Sequence, residues 1–164
     1  MRGSRVSALA LSALVAATLG VSCSSSSAAD KGQVTKGDLK AFAAGAAQSI
    51  GGKAEMVRRK NNTTFVSLKA TGLKPGARYV SHVHKQRCEA GDADGHFQQN
   101  GPTAGATPPN EIWLNGGPFA ADANGKVSVS ATANYKANPD AVSVVLHDSA
   151  LPATANKVAC ANLA

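Results

Sequence analysis

The chain alternates hydrophobic and polar residues over several short stretches, which is the pattern of half-buried β-strands. The clearest case is 126–133, where Val127, Val129 and Ala131 alternate with serine and threonine. Strands are also predicted over 54–59, 63–70 and 78–84, and 142–147 is an apolar run that suits a well-buried strand. Asparagine, glycine and proline lie between these stretches and predict tight turns. Short strands at this spacing predict an all-β sandwich or barrel.

Two segments depart from this pattern. Over 38–50 the apolar residues follow a helical spacing and Asp38 is a suitable N-cap, so a short helix is predicted there. From Cys88 to Ile112 the chain follows neither spacing and is rich in glycine and proline. A loop of this length inside a small domain usually carries function.

The first residues predict export. Arg2 and Arg5 precede the uncharged stretch 6–21, which is shorter than the roughly 20 apolar residues of a membrane-spanning helix. Residues 1–22 therefore have the character of a secretory signal peptide. The stretch 19–23 resembles the lipobox of bacterial lipoproteins, which implies a lipid on Cys23 and attachment to the cell envelope. The alternative is a plain signal peptide and a secreted protein, and either route permits disulfides.

Length, composition and charge exclude several classes of protein. A length of 164 residues suits one domain, and 16 glycines with 7 prolines argue against a long-helix protein. The formal charge of +7 raises the alternative of a basic envelope-binding or nucleic-acid-binding module. No aromatic platform or recognised motif accompanies that charge, so no nucleic-acid partner is predicted.

The chain's four histidines are its candidate metal ligands. His82 and His84 are two apart on a predicted strand and so point to the same face. His96 follows a glycine-containing loop, and His147 ends a buried strand. Four neutral imidazoles suit copper or zinc, and a tetragonal set favours Cu(II). Taken alone, a histidine at the end of such a strand is more often a structural residue held by hydrogen bonds, so the four must be considered together.

The three cysteines point to an oxidised framework. If Cys23 carries lipid, Cys88 and Cys160 remain as a candidate disulfide. The alternative is a pair of reduced cysteines in the core.

Five ordered motifs resemble the copper/zinc superoxide dismutase family: His82-Val83-His84, Cys88, Gly95-His96-Phe97, Val144-Val145-Leu146-His147 and Ala159-Cys160. The resemblance runs from about Met56 to the C-terminus. It implies an eight-stranded Greek-key β-barrel of the immunoglobulin-like sandwich type with a Cys88–Cys160 disulfide. It also implies that the four histidines bind one copper per chain and that superoxide is the substrate.

Departures from the family pattern point to its copper-only exported bacterial branch. The four histidines are all used by copper and the region 98–110 contains none, so the family's zinc site is predicted to be absent. In copper-only members an acidic residue hydrogen-bonds the exchangeable histidine, and Glu111 is the candidate for that role. The alternative for Glu111 is an ordinary surface carboxylate. Lys157 stands where the family places an arginine that attracts superoxide.

These inferences combine into one prediction of function, and they divide the chain into three segments. Residues 1–22 are the signal peptide, 23–52 hold the lipidated cysteine, a flexible spacer and the short helix, and 53–164 form the copper-binding domain. The predicted activity is the disproportionation of superoxide to O₂ and hydrogen peroxide at copper, with Lys157 as the catalytic cation. The alternative function is a non-catalytic lipoprotein that binds or buffers copper.

Overall fold

Eight antiparallel strands organise residues 32–163, the part of the chain that the computed structural model describes. Their bounds are β1 (Gln33–Ala41), β2 (Gly51–Arg58), β3 (Thr64–Thr71), β4 (Arg78–His84), β5 (Phe119–Ala120), β6 (Val127–Ala133), β7 (Ser143–Asp148) and β8 (Lys157–Asn162). The strand order is β5-β4-β7-β8-β1-β2-β3-β6. Strands distant in sequence lie side by side, as β8 beside β1, so the topology is a Greek key wound into a nearly closed barrel.

This architecture confirms the predicted all-β barrel. The strand patterns over 54–59, 63–70, 78–84, 126–133 and 142–147 correspond to β2, β3, β4, β6 and β7. Within residues 32–163 the helical elements are short 3₁₀ turns, at Ala43–Gly45, Pro102–Ala104 and Leu114–Gly116. None of the described helices has the length and hydropathy to cross a membrane.

The predicted helix over 38–50 is wrong. Strand β1 continues to Ala41 and pairs with β2 along its length, from Gln33 opposite Arg58 to Lys40 opposite Gly51. This long ladder of backbone hydrogen bonds outweighs a local helical spacing. Leu39 and Ile50 still reach the core, but from a strand and from the end of the following turn. The sheet therefore begins before residue 53, the start given to the domain by the sequence.

The hydrophobic core fills the barrel with mostly small and aliphatic side chains. Its largest fully buried members include Tyr79, Met56, Leu68, Leu114 and Leu146. Alternation along β4 sends Tyr79 and Val83 into this core, so His82 and His84 point to the outer face of the barrel wall. The long segment after β4 covers that outer face, and the candidate site lies between the two.

The disulfide between Cys88 and Cys160 is present, as predicted. It joins residues 72 apart in sequence, with a Cα–Cα distance of 5.7 Å. Cys160 also packs with Ala93 and Val145 in a small apolar cluster on the outer face of the barrel. The bond therefore fastens the start of the long loop to β8, beside the histidines.

Candidate metal centre

Paired strands position three of the histidines. His82 and His84 lie on β4, and His147 lies opposite Val80 on β7. Residues 80, 82 and 84 share one face of β4, and a residue paired with Val80 across the sheet points to that same face. The imidazoles of His82, His84 and His147 therefore all project to the same side. The ring centroids of His82 and His84 are 4.7 Å apart, and those of His82 and His147 are 4.5 Å apart. One nitrogen from each of the three lies within 4.8 Å of the others.

The fourth histidine comes from the long loop. The Lys85 amide donates to the Gly95 carbonyl and the Phe97 amide donates to the Val83 carbonyl, so His96 is held against the end of β4. Glycine is favoured at position 95, because the backbone there has a φ of 73°. The ring of His96 lies 4.0 Å from that of His82. Its side chain is 37% exposed, whereas the other three imidazoles are buried.

Oxygen acceptors fix the tautomer of three rings. The Nδ1–H of His84 donates to the Ala93 carbonyl at 2.6 Å, and that of His147 donates to Asn156 Oδ1 at 2.9 Å. The Nδ1–H of His96 donates to Glu111 Oε2 at 2.9 Å. In the neutral form each of these rings has its lone pair on Nε2, as a metal ligand must.

His82 is the exception, and it provides the test of whether a metal fits. Its Nδ1 is buried and has no hydrogen-bond partner among the described residues. A buried polar nitrogen without a partner costs free energy. A cation bound by Nδ1 of His82 and Nε2 of its neighbours would satisfy that nitrogen. The donor set is all imidazole, which suits copper or zinc, so these residues fit the ion that the resemblance implies.

The three buried imidazoles, those of His82, His84 and His147, are neutral at physiological pH. Burial, reinforced by the charge of neighbouring groups, lowers the pKa of His84 to about 3 and that of His147 to about 4. Burial also lowers the pKa of His82 far below its usual range. Neutral rings hold lone pairs ready for a metal without first losing protons.

Glu111 lies beside His96 as a buried carboxylate. Its Oε2 accepts from His96 and, at 2.7 Å, from the indole Nε1–H of Trp113. Its Oε1 accepts from Gln98 Nε2 at 2.9 Å. The side chain of Glu111 is fully buried, so the alternative of a surface carboxylate does not describe it. Burial, with the negative charge of Glu111 added to it, raises the pKa of Tyr135 to about 12.

Lys157 lies at the rim of the cluster. The register between β7 and β8 shifts after Leu146, so that Lys157 stands opposite His147 and Val158 turns into the core. Its charge contributes to the lowered pKa of the three buried histidines. Its Nζ lies 3.9 Å from Asp94 Oδ1. Lys157 and Asp94 line a surface groove of about 490 Å³.

Asn110 organises the region where the family's zinc loop would be. Its side-chain amide donates to the carbonyls of Gly101 and Gly105, and its Oδ1 accepts from the Asn100 amide. These bonds give the loop a fixed shape that leads directly into Glu111.

The sequence did not assign roles to three polar residues of this site. Gln98 and Trp113 hold Glu111, and Asn156 holds His147. The only local indication of a role for Trp113 in the sequence is its position two residues after Glu111. Asn156 has no such signal, because its contact depends on the pairing of β7 with β8. The predicted signal peptide and Cys23 lie outside the described residues.

Comparisons with known proteins bear on the fold. No family model and no curated protein matches the chain. Among solved structures it is similar to superoxide dismutase 5 of Candida albicans with Cu(II), at a TM-score of 0.51 and 18% identity, over 80% of this chain and 90% of that one. Two variants of the same protein, with a glutamate replaced by alanine or by glutamine, match at a TM-score of 0.50 with 19% and 18% identity. They cover 80% of this chain and 88% and 90% of their own.

Identity this low establishes a shared fold rather than a shared activity. The chain thus has the fold of the Candida superoxide dismutase, and the resemblance drawn from its histidine and cysteine motifs is confirmed at that level.

Proposed function

We propose that the chain is a superoxide dismutase that uses one copper ion per chain and has no zinc site. The copper ligands would be His82, His84, His96 and His147. The observation that carries the proposal is the convergence of the other three rings on that of His82, whose buried Nδ1 has no hydrogen-bond partner among the described residues. The shared fold supports it, because the neighbour of that fold is named a superoxide dismutase with Cu(II).

Each ligand would bind through a defined nitrogen. His84 and His147 would use Nε2, because their Nδ1 protons are engaged by Ala93 and Asn156. His82 would use Nδ1, the nitrogen for which residues 32–163 offer no hydrogen-bond partner. Copper, when bound, supplies a Cu(II)/Cu(I) couple through which one superoxide loses an electron and a second gains one, giving O₂ and, with two protons, hydrogen peroxide.

His96 is the ligand suited to handle a proton. It is the most exposed of the four, it lies on the loop rather than within a strand, and its ring donates a hydrogen bond to Glu111. The carboxylate keeps the ring in place through Nδ1, which leaves Nε2 to carry or release a proton. This is the role that the resemblance implies for Glu111 in place of zinc.

Lys157 would attract the substrate anion. It is partly exposed at the rim of the cluster, and its positive charge contributes to the lowered pKa of His147. A positive rim raises the rate at which a small anion meets the site. Asp94, which is exposed, offsets part of that charge.

Metal analysis combined with pulse radiolysis tests the proposal. Trp113 is the chain's one tryptophan and its ring lies 5.1 Å from that of His82, so Cu(II) added to the metal-free protein should quench its fluorescence to an endpoint of one copper per chain. The copper-loaded protein should then accelerate the decay of superoxide. Binding without acceleration would support the copper-buffering alternative. Zinc bound stoichiometrically at a separate site would overturn the copper-only assignment.

The proposal includes export and a lipid anchor at Cys23. Superoxide and copper outside the reducing cytoplasm suit a protein with a disulfide beside its site. Mass spectrometry of the protein from its native cell envelope should find a diacylglyceryl group on an N-terminal Cys23. A protein that still begins at Met1, or one whose Cys23 is unmodified, would contradict the proposed lipid anchor. Neither result would affect the proposed copper site.

A further inference from the structure

Trp113 contacts both halves of the candidate site. Its indole Nε1–H donates to Glu111 Oε2 at 2.7 Å, the same oxygen that accepts from His96. Its ring lies 5.1 Å from the ring of His82, at an interplanar angle of 30°. Among the described residues His96 also contacts both Glu111 and His82, so Trp113 and His96 together connect the carboxylate to the strand histidine.

The backbone explains this placement. Trp113 forms a β-bridge with His82, and the Val83 amide donates to the Ile112 carbonyl at 3.1 Å. The segment 111–113 therefore runs beside β4 in an extended form. Glu111 and Trp113, two residues apart, then point to the same side, as alternate residues of a strand do.

Both oxygens of the Glu111 carboxylate accept hydrogen bonds. Gln98 donates to Oε1, while Trp113 and His96 share Oε2. Without these donors the carboxylate could rotate about its last bond, and Oε2 would no longer face His96. Gln98 alone fixes the far oxygen, whereas Trp113 fixes the oxygen that His96 uses.

On the basis of the proposed copper site, we propose that Trp113 is a positioning residue that couples the loop half of the site to the strand half. Its N–H orients Glu111 and, through it, His96, and its ring restrains the imidazole of His82. The indole does not touch the substrate position in this role. It sets the geometry of two ligands at once.

Two substitutions separate the hydrogen bond from the ring contact. Trp113→Phe keeps an aromatic ring beside His82 and removes the N–H donor. Trp113→Leu removes both. Gln98→Ala is the matched control, since it removes a donor from Glu111 but leaves Oε2 bonded to Trp113 and His96. Trp113 is half-buried rather than part of the core, so the variants should fold.

Nitrogen-15 NMR of the metal-free proteins is the first readout, because it does not depend on copper or activity. The wild type and Gln98→Ala should show His96 as one tautomer with a protected Nδ1 proton. Trp113→Phe should lose that protection and show mixed tautomers. An unchanged His96 spectrum in Trp113→Phe would overturn the inference, even if the protein proves to be a dismutase.

The copper-loaded proteins give the second readout. The Trp113→Phe protein should catalyse superoxide decay about tenfold more slowly than the wild type. This is the size of effect that the loss of an outer hydrogen-bond partner has on a metal site. The EPR spectrum of Cu(II) should shift further in Trp113→Leu than in Trp113→Phe, because only Leu removes the ring from His82. Identical EPR spectra for the two variants would contradict the ring contact. An inactive wild type with the predicted NMR differences would overturn the proposed function and leave the positioning intact.

Discussion

The candidate site is built from two regions of different character. His82, His84 and His147 stand on paired strands, are buried, and owe their positions to the core behind them. His96 and Glu111 stand on a long loop that a disulfide and a few hydrogen bonds hold in place. The strand region is suited to bind a metal without moving. In the proposed function, the loop region is the part that changes one ligand during turnover.

Removing one ligand from each region is the strongest test of this contrast. His84→Ala deletes a buried strand ligand and should weaken Cu(II) binding by more than the roughly 10–100-fold cost of losing an outer hydrogen-bond partner. His96→Ala should keep most of the copper, because three strand ligands remain, but should lose superoxide turnover. Competition with a chelator measures affinity, and pulse radiolysis measures turnover.

The contrast would fail if the two variants lost copper equally. Equal loss would mean that His96 is as much a part of the binding frame as the strand histidines. Circular dichroism of both variants is the control for folding, since His84 is fully buried and its removal leaves a cavity.

The next largest effect is expected at Glu111. Glu111→Ala leaves His96 without its acceptor and should lower turnover by about 10–100-fold while copper stays bound. Glu111→Gln keeps an acceptor oxygen and should lose less. The matched control is Glu55→Gln, which removes a carboxylate from a surface ion pair with Lys36 at 3.0 Å. Loss of copper from Glu111→Ala would place this carboxylate in the binding region instead.

The same division explains what the sequence could predict. The four histidines, Cys88 and Cys160 were found because their order along the chain is distinctive. Strand β7 was found because it is a continuous apolar run, and all six of its residues are buried. Strand β1 was mistaken for a helix because Leu39, Phe42 and Ile50 fall at helical spacing, and only pairing with β2 decides otherwise.

Strands β5 and β8 were missed for different reasons. Strand β5 has only two residues, too few for any alternation to show. Strand β8 has four consecutive buried residues and does not alternate, and two of the four are alanines, which favour strands less than the valines and leucine of β7. The contacts of Asn156 and Gln98 were out of reach as well, because they join residues that tertiary packing brings together. Local pattern thus predicts elements and motifs, while the residues that orient ligands emerge only from the packed structure.

Asn156 allows a finer test within the strand region. Asn156→Ala removes the acceptor from His147 Nδ1 and should weaken Cu(II) binding by about tenfold. Asn156→Asp restores an acceptor at that position and should recover much of the affinity. Asn124→Ala, in an exposed turn, is the control and should have no effect. Equal affinity in the alanine variant and the wild type would show that the strands alone orient His147.

The smallest effect is expected at the rim, where Asp94 faces Lys157. Asp94→Asn removes a negative charge 3.9 Å from Lys157 Nζ and should raise the rate of superoxide decay by about twofold at low ionic strength. Lys157→Gln should lower that rate by a similar factor. Because both groups are partly exposed, the difference between the variants should vanish as salt shortens the screening length to about 3 Å at 1 M. A salt-independent difference would mean that these residues act on the histidines through geometry rather than on the anion through charge.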